Sequence, residues 1–138
     1  MRNKTPTEIS LKQKVFIFWL PVVLYCLIIF CFSSLESHQV PIKKPGFDKF
    51  AHFFEYAPLG FLIIRALFVS LKGIKRFNIF VFATLLTCLY GLSDEWHQMF
   101  VPGRHASFLD IIADTCGGAL GAAIFCMKNK NRKAYVKN

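Results

Sequence analysis

Close cysteine pairs, zinc-type histidine spacings and long polar stretches are all missing from this sequence, and each absence removes a class of protein. The five cysteines, Cys26, Cys31, Cys88, Cys116 and Cys126, form no C-x-x-C unit. An odd number at wide spacing argues against a disulfide framework or a thiolate metal site. All five lie in or at the edge of apolar blocks, where free cysteine packs as a small hydrophobe. The four histidines make no H-E-x-x-H or comparable spacing. Acidic residues are scarce, eight against 17 lysines and arginines. What lies between the apolar blocks is too short to build a separate soluble core. No small-residue cleavage site follows the first apolar run, which continues Ser33-Ser34-Leu35-Glu36-Ser37-His38, so a retained first helix is expected rather than a signal peptide.

Hydrophobic residues make up 54% of the 138, and they come in long blocks rather than in a helical stripe. A helix needs about 20 mainly apolar residues to span a bilayer, and four stretches approach that length. The sequence therefore predicts an all-α membrane protein, a four-transmembrane-helix bundle over residues 15–127, with basic tails at 1–14 and 128–138. Helix one is expected over Val15 to Phe32 with a bend at Pro21, which neighbouring helices tolerate in a membrane. A polar loop from Ser33 to Phe47 leads to helix two, from near Asp48 to Leu71. After the turn Lys72-Gly73-Ile74-Lys75-Arg76 comes helix three, Phe77 to Gln98. In Phe100-Val101-Pro102-Gly103-Arg104 the proline presets the second position of a tight turn and the glycine accepts positive φ at the third. Helix four is expected from Ser107 to Met127. Most of the 16 phenylalanines fall inside these spans as lipid-facing and packing residues, while Trp19, Trp96 and Tyr135 lie nearer the interfaces.

A formal charge of +9 raises the question of nucleic acid, since basic stripes bind phosphate backbones. The distribution answers it. Arg2, Lys4, Lys12 and Lys14 precede helix one, Lys72, Lys75 and Arg76 separate helices two and three, and Lys128, Lys130, Arg132, Lys133 and Lys137 follow helix four. All three clusters fall on one side, which the positive-inside rule makes cytoplasmic; the topology is N-in/C-in, with membrane lipids as the partners and no nucleic acid.

On this topology only Glu8 of the eight acidic residues is cytoplasmic. Asp48 and Glu55 enter helix two from outside, Asp94 and Glu95 leave helix three at the outside, and Asp110 and Asp114 enter helix four from outside. At about 3.6 residues per turn, Asp48, His52, Glu55, Tyr56 and Leu59 share one face of helix two. Lys49 points elsewhere, toward the head groups. Pro58 frees the carbonyl of Phe54, beside His52 and Tyr56. On helix four, Ser107, Asp110, Asp114, Gly117 and Gly121 form a stripe, and its small residues let a neighbouring helix approach closely. Ser107 and Asp110 match an S-x-x-D helix cap. Asp114 has no such role, and an unpaired carboxylate inside a span costs a few kcal/mol. Adjacent Asp94 and Glu95 must serve different partners, with Gln98 near both. Arg104 is the natural counter-charge, able to grip a carboxylate or phosphate in bidentate fashion. Arg65, deep in helix two and off the polar face, is expected to snorkel to the cytoplasmic end.

Three readings fit this cluster: a salt-bridged lock between helix ends, a pocket for an anionic head group, and catalysis or metal-assisted hydrolysis. The second draws on Arg104, His52, Lys49 and the exposed donors at the start of helix four. For the third, His52, His97 and His105 with Asp94, Glu95, Asp110 and Asp114 include ligand types for a divalent metal, without a supporting spacing. No cofactor is expected otherwise.

In this order the clusters resemble the VanZ-like family of bacterial membrane proteins, named for a glycopeptide (teicoplanin) resistance determinant. Asp48-Lys49-Phe50-Ala51-His52-Phe53-Phe54-Glu55-Tyr56-Ala57-Pro58-Leu59-Gly60 is similar to the family's D-K-x-x-H-F-x-x-Y-x-x-L-G segment. Ser93-Asp94-Glu95-Trp96-His97-Gln98, continuing through Phe100-Val101-Pro102-Gly103-Arg104 to Asp110, Asp114 and Gly117-Gly118, is similar to its S-D-E-x-x-Q-x-F-x-P-G-R-x-x-x-x-D-x-x-x-[ND]-x-x-G segment. Ser33-Ser34 fits as well. The resemblance implies a multi-pass protein of the bacterial plasma (inner) membrane with a role in the cell envelope, and it supplies no mechanism. The leading expectation is an outer-facing pocket for an anionic lipid-linked or glycopeptide-related envelope ligand, formed by Asp48, His52, Tyr56, Asp94, Glu95, Gln98, Arg104, Asp110 and Asp114, with Gly117 and Gly121 as helix-packing positions. The alternatives are an integral-membrane hydrolase or transferase acting on a phosphate or acyl group, with a carboxylate or His52 as base and Arg104 as anion stabiliser, and a structural subunit of a larger complex.

Overall fold

The computed structural model of the chain describes residues 10–36 and 47–129. Four helices cross it: α1 (Leu11–Ser33), α2 (Phe47–Ser70), α3 (Arg76–Gln98) and α4 (Phe108–Lys128). Each is long and apolar enough to span a membrane, and no strand occurs among the described residues. The chain is thus an all-helical, multi-pass membrane protein. Both expected tails lie largely outside the described residues, as does the stretch 37–46 of the loop before α2. Glu8 and Tyr135 fall there too.

Helix α1 starts a turn earlier than its hydrophobic run suggested. Ser10 closes a capping box, its hydroxyl accepting from the Gln13 N–H at 3.3 Å while its own N–H donates to Gln13 Oε1 at 2.9 Å. Pro21 makes itself felt just upstream, where Val15–Trp19 winds as a π-helical turn and the Leu20 N–H donates to the Val15 carbonyl. A proline ring crowds the carbonyl one turn back, and the wider π turn relieves that crowding. The bend expected at Pro21 therefore takes the form of a local widening. Gly73 (φ 82°) turns the chain between α2 and α3, and Gly103 (φ 75°) does so between α3 and α4. There the Arg104 N–H donates to the Val101 carbonyl at 3.1 Å, closing the tight turn read from Pro102-Gly103.

Consecutive helices alternate in direction, so α2 and α4 run parallel with α3 against both. A methyl group at Gly117 would collide with the Phe53 carbonyl, one at Gly121 with the Ala57 carbonyl, and one at Gly60 with the Gly118 backbone. Helices α2 and α4 therefore touch backbone to backbone, the contact that small residues permit when lipid supplies no hydrophobic drive for association. Below this seam Leu59, Ile63, Ile64, Phe68, Ile79 and Phe125 fill the interior, with Phe68 and Phe125 edge to face at 5.4 Å. Leu27, Phe82, Leu89 and Leu120 stay exposed on the outer faces, as lipid-facing residues should. At the basic end, the Arg76 guanidinium donates to the Cys126 and Asn129 carbonyls and ties α3 to the end of α4. Arg65, expected to snorkel, lies 4.7 Å over the Phe18 ring and links α2 to α1.

Candidate functional site

The end of the bundle opposite Arg76 gathers the acidic side chains. Helices α2 and α4 begin there and α3 ends there, so the first turns of two helices meet the last turn of the third. His52 and Tyr56 lie one turn apart on the inner face of α2, Asp110 and Asp114 one turn apart on α4, and Asp94, Glu95 and Gln98 close α3. All seven side chains are buried.

The centre is a pair: His52 Nδ1 stands 3.0 Å from Asp114 Oδ1. Glu95 Oε1 approaches the same nitrogen at 4.0 Å, and its other oxygen, Oε2, accepts the Ser107 N–H at 2.7 Å. Asp94 accepts from Gln98 Nε2 at 3.1 Å, so the adjacent carboxylates do take different partners. Tyr56 stacks beside His52 with ring centroids 6.4 Å apart, and its hydroxyl has no hydrogen-bond partner among the described residues. Among the described residues Glu95 Oε1 and Asp114 Oδ2 likewise have no hydrogen-bond partner, on residues 2% and 0% exposed. Burying a carboxylate oxygen without a partner costs several kcal/mol by the usual scale of about 1–3 kcal/mol for neutral groups and more for charged ones.

Four sequence-based expectations are corrected here. Arg104 does not pair with a carboxylate among the described residues; its Nε donates to the Leu35 carbonyl at 3.1 Å, with a longer 3.5 Å approach to the Phe32 carbonyl. It clamps the C-terminal end of α1, whose carbonyls have no intrahelical donors left. Lys49, expected to point away, supplies the counter-charge instead, 2.9 Å from Asp110 and 3.1 Å from the exposed Asp48. Ser107 makes no side-chain cap to α4, because Glu95 from α3 takes up a backbone N–H at that terminus and Lys49 holds Asp110. His97 and His105 stay outside the cluster. His97 Nε2 lies 3.0 Å from Ser34 Oγ and packs on Phe30, while His105 is exposed.

Gly91 is a site residue that the sequence reading missed. A Cβ there would stand 2.7 Å from Asp114 Oδ2, so the absence of a side chain on α3 makes room for the carboxylate. A glycine in mid-helix one turn before Asp94-Glu95 was the available signal. Chemically, the arrangement offers an oriented imidazole, two carboxylates with free oxygens and a nearby ammonium. His52, Glu95 and Asp114 can each present one ligand atom, all within 4.8 Å of one another.

A model of the VanZ/LLP1 family matches residues 6–129. No curated protein and no solved structure matches the chain.

Proposed function

The chain belongs to the VanZ-like family, and we propose that it serves the bacterial cell envelope as an N-in/C-in bundle of the plasma membrane. In this reading its buried polar end faces the outer leaflet and engages the phosphate-bearing head group of a lipid-linked cell-wall intermediate. The observation that carries the reading is the set of polar atoms with no partner among the described residues, Tyr56 OH, Glu95 Oε1 and Asp114 Oδ2, where three helices converge: the hydroxyl can donate to a phosphate oxygen, and the carboxylate oxygens can accept from the hydroxyl and amide donors of the same head group. A purely structural lock favours complete satisfaction of its buried groups, whereas ionisable residues held unsatisfied inside a span mark binding or transfer. The proposed orientation is supported by Lys72, Lys75, Arg76 and Lys128, which lie at the opposite end from the carboxylates. Altered teicoplanin susceptibility is the phenotype through which such binding would be seen. The test pairs Tyr56→Phe with Asp114→Asn at matched membrane levels, reading teicoplanin susceptibility in cells and lipid retention by native mass spectrometry. Loss of both readouts supports the reading; wild-type retention by both variants removes it.

The His52–Asp114 hydrogen bond favours a second reading, hydrolysis at the same place. A carboxylate that fixes the imidazole leaves its other nitrogen oriented as a general base. Release of inorganic phosphate from a lipid diphosphate by the purified protein, lost in His52→Gln, would decide for hydrolysis over binding.

A further inference from the structure

Among the described residues acidic side chains outnumber basic ones around His52, and Arg104 is turned to α1. Lys49 is occupied with Asp48 and Asp110. Glu95 and Asp114 therefore share a buried space in which the His52 imidazole faces both, 3.0 Å from Asp114 and 4.0 Å from Glu95. Their free oxygens, Oε1 and Oδ2, sit on side chains that are at most 2% exposed. One side chain comes from each of three helices, and the ligand atoms of His52, Glu95 and Asp114 lie within 4.8 Å of one another.

We propose that His52, Glu95 and Asp114 form a divalent-cation site that prefers a first-row ion such as Mn²⁺ or Zn²⁺ to Mg²⁺ or Ca²⁺. Magnesium and calcium favour all-oxygen sets, whereas an imidazole nitrogen with two carboxylates suits the transition ions. Ligand atoms at about 2.0–2.2 Å from an ion lie roughly 3–3.5 Å from each other. The 3.0 Å separation of His52 Nδ1 and Asp114 Oδ1 already meets that spacing, and the 4.0 Å separation to Glu95 Oε1 closes with a small side-chain rotation. Outer partners hold the ligands as such sites require. The Ser107 N–H fixes one oxygen of Glu95 and leaves the other facing the imidazole. Lys49 holds Asp110 apart, so the ion would meet two carboxylates and be neutralised by them. Gly91 leaves the space beside Asp114 Oδ2 free of any side chain of its own.

Ion binding stands independently of the head-group reading, although a bound ion would add positive charge beside a phosphate. The full chain, chelator-treated in nanodiscs of zwitterionic lipid, is titrated with Mn²⁺ by electron paramagnetic resonance and with Zn²⁺ by calorimetry. One ion per chain is expected, with affinity weakened at least roughly tenfold in His52→Gln, Glu95→Gln and Asp114→Asn. His97→Gln and His105→Gln, outside the cluster, should bind as the wild type does. No binding at millimolar ion, undiminished binding by all three ligand variants, or equal affinity for Mg²⁺ overturns the site. Should the variants not insert, coupling of bound Mn²⁺ to an imidazole nitrogen in the wild-type protein decides, and its absence is equally fatal. Ion binding without lipid retention keeps this site and removes the head-group reading; lipid retention without ion binding does the reverse.

Discussion

Replacing Gly117 by alanine tests whether the α2–α4 seam sets the geometry of the acidic end. The added carbon would stand 2.9 Å from the Phe53 carbonyl carbon and 3.1 Å from its Cα, with the carbonyl oxygen nearer still. Ordinary contact begins at 3.4 Å, and what is struck is helix backbone, which has no rotamer to change. The two helices must therefore part by about 1 Å, a strain of the kind that costs about 1–3 kcal/mol in a packed interior. Against this, alanine gains up to about 1 kcal/mol over glycine in helix propensity. The net expectation is a loss of about 1–2 kcal/mol, read as a lower midpoint for unfolding in mixed detergent micelles. His52 immediately precedes Phe53, and Asp114 lies less than a turn before Gly117, so the same separation stretches their 3.0 Å hydrogen bond beyond useful length. Ion affinity should fall with stability in Gly117→Ala, while Leu120→Ala on the lipid-facing side of α4 should leave affinity unchanged. Wild-type stability and affinity in Gly117→Ala would mean that α2 and α4 are not in backbone contact.

Lys49→Met should destabilise the bundle by about 1–3 kcal/mol, because it strands Asp110, whose side chain is 8% exposed; Asp110→Asn on that background should restore most of the loss in a double-mutant cycle. Arg104→Lys should keep the α1 clamp through one carbonyl bond and stay within about 1 kcal/mol of wild type, whereas Arg104→Ala should speed amide exchange near Phe32 to Leu35. Cysteines introduced at Gln39 and Lys75 report topology in intact cells: the first should react with an impermeant reagent and the second should not, and the opposite pattern would invert the bundle.

Helix limits other than the start of α1, the Pro102-Gly103 turn and the glycine stripe of α4 were legible because each depends on neighbours close in sequence. Inward burial of His52, Tyr56, Asp110 and Asp114 was legible for the same reason, since periodicity on a single helix fixes which residues share a face. What failed was assignment of partners across helices. Arg104 and Lys49 exchanged roles because long cationic side chains reach any carboxylate or carbonyl within range, and the register between helices decides which. Ser107-x-x-Asp110 reads as a cap in isolation, yet Glu95 competes for the same terminus from another helix. His97 is adjacent to Trp96 and close to Glu95 in sequence, but its side of α3 meets Ser34 and Phe30 on α1.

The bundle divides into a working part and a cover. Between membrane helices lipid gives no hydrophobic drive, so α2, α3 and α4 hold together through close backbone packing and polar bonds: the Arg76 clamp at the basic end and, at the other, the bonds of the candidate site itself. Stability and site chemistry cannot be separated there. Helix α1 attaches differently. Tyr25 donates to the Glu55 carbonyl at 3.0 Å, Tyr90 donates to the Cys26 carbonyl at 2.6 Å, Trp19 Nε1 donates to Ser70 Oγ at 3.0 Å, and Arg104 holds the Leu35 carbonyl. None of these bonds uses His52, Glu95 or Asp114. A net hydrogen bond is worth about 0.5–1.5 kcal/mol, so loss of any one loosens α1 without dismantling the bundle. The contacts of α1 can therefore be lost at less cost to the His52–Asp114–Glu95 geometry than the contacts among the other three helices.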